Sequence, residues 1–146
     1  ASDYNVGLHS FSDDNLLVFN RNSVHLVSGA GQDAKVQLIT NEVGCVARKS
    51  IIQVGNNVLF LSDNGVYGAN FQDLYNLRGN EVPLSSPINP VIQRINRSVW
   101  DKSVAVYFDN RYYLAVALDN SSVNNAILMH LTYCPLRFQP ITLRVV

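Results

Sequence analysis

The chain has 146 residues, 47% of them hydrophobic, with 11 basic and 11 acidic side chains. That length supports one domain with a real core, and that apolar content excludes intrinsic disorder. The charges balance and the arginines are scattered, so no field steers the chain onto nucleic acid, and no apolar run reaches the roughly 20 residues of a membrane span.

Asparagine and serine are abundant while lysine and glutamate are scarce. Asparagine bonds nearby backbone and tolerates positive φ, so it favours turns over helix interiors. Asparagines set between β-branched runs predict an all-β fold of many short strands. Residues 1–146 are read as a single β-rich domain. The start at Ala1 without methionine is expected of a processed or excised piece, although removal of an initiator methionine leaves the same start.

Three hairpin units follow in order. The first places strands at Leu16-Leu17-Val18-Phe19, Val24-His25-Leu26-Val27 and Val36 to Ile39, with a turn at Asn20-Arg21-Asn22 and a glycine-rich loop at Gly29 to Gly31. The second places strands at Ile51 to Val54, Val58 to Leu61 and Val66-Tyr67, with turns at Gly55-Asn56-Asn57 and Asp63-Asn64-Gly65. Asn-Gly between strand residues signals a type I′ turn, which needs positive φ at both central positions.

The third unit has Val104 to Phe108, a turn near Asp109-Asn110, Tyr112 to Leu118, a polar loop from Asp119 to Asn125, and Ile127-Leu128-Met129. Within Tyr112 to Leu118 the residues alternate, with Tyr112, Leu114, Val116 and Leu118 on one face and Tyr113, Ala115 and Ala117 on the other. Both faces are largely apolar, which predicts a strand covered on both sides and closely approached at its alanines. Between the second and third units, Ile88, Val91, Ile92, Ile95 and Val99 share one face at helical spacing. They predict a short helix over 89–97, capped by Ser86 or Asn89, with Pro87 and Pro90 confined to its first turn.

The turns near Asn20, Asp63 and Asp109 recur at about 43 to 46 residues, close to the period of propeller blades. About three antiparallel blade-like sheets are therefore expected. Propellers have about 4 to 8 blades, so the chain is either a fragment of a larger ring, a partner in one completed by further copies, or a sandwich.

Candidate chemistry is thin. His9, His25 and His130 share no metal-ligand spacing, and Cys45 and Cys134 fit no CxxC motif and read as buried thiols. Glu42 and Glu81 are the only glutamates, and Asp63 and Asp109 read as turn caps. The 12-residue calcium loop, the phosphate-binding glycine loops and the nucleophile elbow are absent from the sequence. No catalytic residue, cofactor or metal is predicted. The Asn96-Arg97-Ser98 and Asn120-Ser121-Ser122 glycosylation patterns are expected by chance in so asparagine-rich a chain.

The remaining candidates are aromatic and polar: Trp100, Tyr107, Phe108, Tyr112 and Tyr113 gather around one hairpin, followed by Asn120 and Asn124 in the polar loop. They fit core filling, a protein interface or a sugar platform. Core filling is preferred for the aromatics. Loops at Gly29 to Lys35, Phe71 to Pro83 and Asp119 to Asn125 are expected to meet neighbouring subunits.

Three stretches together resemble a known pattern. Gly44-Cys45-Val46-Ala47, then Ser50 to Val54 and Val58 to Tyr67, is similar to adjoining strands of bacteriophage tail and virion-associated proteins. Ser85-Ser86-Pro87-Ile88-Asn89-Pro90 with Ile92, Ile95 and Asn96 resembles the helix that follows there. Asp109 to Val116 and Asn124 to Leu128 resemble its later strands, and the order also matches. The resemblance covers roughly Asn15 to Leu131. It implies a propeller-like virion component similar to tail tubular or nozzle proteins of short-tailed phages. Such a protein is made in the bacterial cytoplasm and resides in the virion, with other virion proteins and further copies of itself as partners and no catalytic residues to carry over. The sequence departs from the pattern at Ala117, where proline is usual, and after Leu131. The alternative function is a glycan- or receptor-binding module of a phage tail.

Overall fold

A computed structural model describes residues 3–29, 31–55, 57–70, 84–85, 88–131 and 142–145. Its strands form three antiparallel sheets, each a simple meander. The first sheet holds β1 (Asn5–Ser12), β2 (Asn15–Asn20), β3 (Val24–Ser28) and β4 (Lys35–Thr40) in that order. The middle sheet holds β5 (Ile52–Val54), β6 (Asn57–Ser62) and β7 (Gly65–Asn70). The third holds β8 (Val104–Phe108), β9 (Arg111–Val116), β10 (Ala126–Leu131) and β11 (Thr142–Val145), consecutively paired.

The sheets are stacked in series, and β6 gives the reason. Successive strand residues point to opposite faces, so a strand with four successive apolar residues, Val58 to Leu61, demands a partner on each side. Val58 and Phe60 join Leu17, Phe19, Val24 and Leu26 of the first sheet in one core. Leu59 and Leu61 join Tyr112, Leu114, Val116 and Leu128 of the third in another. Phe60 lies 5.0 Å from Phe19 between ring centroids, tilted by 55°, which is a favourable aromatic arrangement. The middle sheet is thus buried on both sides, and each outer sheet on one.

This placement corrects one expectation. The strand covered on both faces is β6, not β9. In β9, Tyr112, Leu114 and Val116 are buried, while Tyr113 and Ala115 are only half-buried.

Two strands lay outside the predicted units. β1 carries Gly7, Ser10 and Ser12 among its eight residues, and its pairing with β2 shifts register twice, so no clean alternation marked it. β11 lies beyond the last predicted strand and pairs through Ala126↔Val145 and Met129↔Thr142.

The helix is shorter than predicted. α1 (Asn89–Ile92) has four residues, with Pro90 in its first turn; its N-cap is Ile88, without a side-chain cap bond, and Asn89 lies inside it. Ser86 and Pro87 lie outside the described residues. Helical pairing stops because the backbone beyond it is used by the third sheet. Asp119 N–H donates to the Arg94 carbonyl at 2.7 Å, Asn96 N–H donates to the Ala117 carbonyl at 2.8 Å, and Ile95 bridges Leu118. Ile95 keeps its apolar face in the core by this route rather than by helical periodicity.

The turns also differ in kind. Neither Asp63 nor Asn64 has positive φ; Gly65 opens β7 at φ 133°, opposite Ser62. The type I′ signature falls instead on Asp109 and Asn110, at φ 51° and 57°. Asp63 and Asp109 are not equivalent. Trp100, which precedes β8, lies near Asp63, whereas Asp109 follows the far end of β8.

Candidate interaction surfaces

Where the three sheets meet, Ser50 forms a buried junction. Its hydroxyl donates to the Ala47 carbonyl at 2.6 Å and accepts from Leu61 N–H at 3.0 Å. Its carbonyl accepts the Tyr112 hydroxyl at 2.8 Å, which ties the segment before β5 to β9. Tyr112 is 1% exposed, and burial holds its phenol protonated to very high pH. Tyr112 is therefore removed from the candidate binding residues: it fills the core. Beside it Cys45 is fully buried; burial pushes its thiol up to about 11, and the Sγ donates to the Ala47 carbonyl. Cys134 lies outside the described residues.

At one end of the stack lies a cluster that the sequence did not announce. The Arg21 guanidinium, on the β2–β3 turn, pairs with Asp63 on the β6–β7 turn and sits 5.0 Å from the Trp100 ring centroid. Arg97 lies over the same ring at 5.2 Å. Trp100 is half-buried beneath these two cations, an arrangement that suits its electron-rich face and holds three sheets together.

The loop from Asp119 to Asn125 beside it is braced. Arg94 donates to both oxygens of Asp119 at 2.9 and 2.8 Å, and this hydrogen bonding holds the carboxyl below its ordinary range. Asn96 donates to the Ser121 carbonyl, and Asn124 donates to the Lys102 carbonyl. Asn120 is exposed on this loop. The loop at Gly29 to Lys35 is exposed where described, and Phe71 to Pro83 lie outside the described residues.

The histidines are dispersed. His9 bonds Gln53 at 2.8 Å, His25 sits on the outer face of the first sheet, and His130 is buried opposite Tyr112. Among the described residues no three His, Cys, Asp or Glu side chains group as a metal site would require.

Among the described residues, most of the exposed large hydrophobic side chains lie on the outer faces of the two terminal sheets. Directly opposed residues share a face. On the third sheet this assembles Val104, Ala115 and Ile127 in one row and Val106, Tyr113 and Met129 in the next, with Phe108 beside Arg111. Val104 is 37% exposed, Val106 55% and Phe108 68%. On the first sheet the rows are Leu8, Val18, His25 and Leu38, then Ser10, Leu16, Val27 and Val36. Leu8 is 62% exposed, Val36 70% and Leu38 49%.

Of the sequence candidates, Tyr113 belongs to the third-sheet face. Tyr107 is 39% exposed on the edge strand β8 and donates its hydroxyl to Asn110. Of the missed residues, Val104 and Val106 left a signal, since β8 is apolar in both phases of the alternation, whereas Val36 and Leu38 alternate with Lys35 and Gln37 as the buried phase of a strand would.

Compared with known proteins, the chain matches no protein-family model, and no curated protein is significantly similar to it.

Proposed function

We propose that this chain is a non-catalytic structural component of a bacteriophage virion, of the tail or tail-adaptor kind, and that it works by packing against other virion proteins. The observation carrying the assembly role is the pair of apolar sheet faces left open at opposite ends of the stack. Exposed side chains such as Phe108, Val106 and Val36 sit in contiguous rows rather than singly. Contiguous apolar patches of this kind mark interaction sites, and a serial stack needs polar outer faces if nothing covers its ends. The phage assignment rests on the ordered strand motifs from Gly44 to Leu128. The Trp100 cluster favours structure over sugar binding, since two guanidiniums already lie over the ring a sugar would stack on.

Immunodetection across a density gradient of virus particles from the source culture tests the reading. The chain is expected to band with intact virions. Its absence from washed particles, while present in the infected-cell lysate, overturns the proposal.

A further inference from the structure

We infer that the occupant of the two open faces is a second copy of this chain, docked head to tail, so that the third sheet of each copy stacks on the first sheet of the other. This rests on the assembly reading above and names the partner of its surfaces.

The sheets repeat in one direction. The first sheet offers one face to the middle sheet, which offers its opposite face to the third. The two faces left over are the unused halves of the same kind of junction: the forward face of the third sheet and the backward face of the first. A contact between them is heterologous, and such contacts close into a ring or grow into a filament. A symmetric contact between two third sheets leaves both first-sheet faces, with Leu8, Val36 and Leu38, in water. The reciprocal head-to-tail dimer covers all four faces.

Area favours the closed form. A four-strand face five residues long measures about 19 by 17 Å, so one junction covers about 650 Å² over both partners and the reciprocal pair about 1,300 Å². Stable specific interfaces begin at about 1,200 Å², which a single junction does not reach. Two copies supply six sheets, within the range of about 4 to 8 at which stacked sheets close. The faces are chemically matched. One offers Phe108, Tyr113, Ile127 and Met129, and the other Leu8, Leu16, Val27 and Leu38, with His25 and Ser10 as its polar members. Of the two arginines that register places on the third-sheet face, Arg111 pairs with Asp109 at 2.7 Å, and Arg144 stands opposite Ile127 at the far edge of the sheet.

Light scattering on a sizing column, over a concentration series, reads the state directly. The expected mass is twice the chain's 16.2 kDa, reached without larger species. Val106→Lys on one face and Val36→Asp on the other, with near-UV circular dichroism matching the parent, are each expected to weaken dimerisation about 100-fold by placing a charge in an apolar junction. Mixed in equal amounts, they are expected to recover dimer, because a mixed pair has one unaltered junction and sets Lys against Asp in the other. A monomeric parent chain, mass growing without limit, or a Val36→Asp variant that stays dimeric overturns the inference. Such a result beside a chain that bands with virions leaves the assembly reading standing; a dimer absent from virions does the reverse.

Discussion

Tyr112→Phe isolates one atom of the junction between sheets. The ring stays, so the core between the middle and third sheets keeps its volume and only the hydroxyl is lost. That hydroxyl donates at 2.8 Å to the carbonyl of Ser50, itself fully buried. Losing a hydrogen bond and leaving its buried acceptor unpaired costs about 1–3 kcal/mol. For a domain near this size each kcal/mol lowers the melting temperature by about 2–4 °C, so a fall of about 2–12 °C is expected. Thermal melts followed by near-UV circular dichroism give the number, and urea melts check that the transition stays two-state. Tyr113→Phe serves as the control, since its half-buried side chain lies on the outer face; its effect should stay within about 0.5 kcal/mol. If Tyr112→Phe melts within 1 °C of the parent, or if the control loses as much, on the order of the bond's net worth, Ser50 is not the tie between the sheets.

Two further outcomes follow from particular contacts. A Cβ at Gly44 would meet the Arg21 carbonyl oxygen at 2.2 Å and the next backbone nitrogen at 2.5 Å, so Gly44→Ala must displace the β2–β3 turn. A loss of about 2–3 kcal/mol in urea melts is expected, and a neutral result would refute that close approach. Burial lowers the pKa of His130 in the folded chain, so the unfolded chain binds its proton more readily. The resulting stability is present above the ordinary histidine value near 6.5 and is lost as pH falls below it through the folded value. Melting temperatures between pH 7.5 and 5 should drop more for the parent than for His130→Leu; parallel slopes would remove His130 as the cause.

The sequence marked β2, β3 and β9 as strands but not which phase is buried. Leu17 and Phe19, Val24 and Leu26, and Leu114 and Val116 face the core, while the other phase carries apolar residues too, such as Leu16, Val18, Val27 and Ala115. The helix near Asn89 was legible in position but not in length. Its apolar spacing is also satisfied by a backbone that turns after Ile92 and carries Ile95 to Leu118, and periodicity does not separate the two. Asp63-Asn64-Gly65 and Asp109-Asn110 both announced turns, yet the left-handed residues are Asp109 and Asn110, because the middle hairpin places Gly65 in β7 instead.

The candidate site divides along the same line. Trp100 and Tyr112 stood out as aromatics, but side-chain type carries no information on depth: one lies under Arg21 and Arg97, the other donates to Ser50 inside the core. Local alternation and turn chemistry are short-range, so the sequence by itself determined an all-β chain of meander hairpins and where their turns fall. Which sheet lies in the middle, which apolar phase is left open on the outer two, and that Arg21, Asp63 and Trp100 converge were decided by the tertiary structure. Those relations join residues far apart in the chain, Arg21 and Asp63 by 42 positions, and stacking order is set by how whole faces pair, not by any one strand.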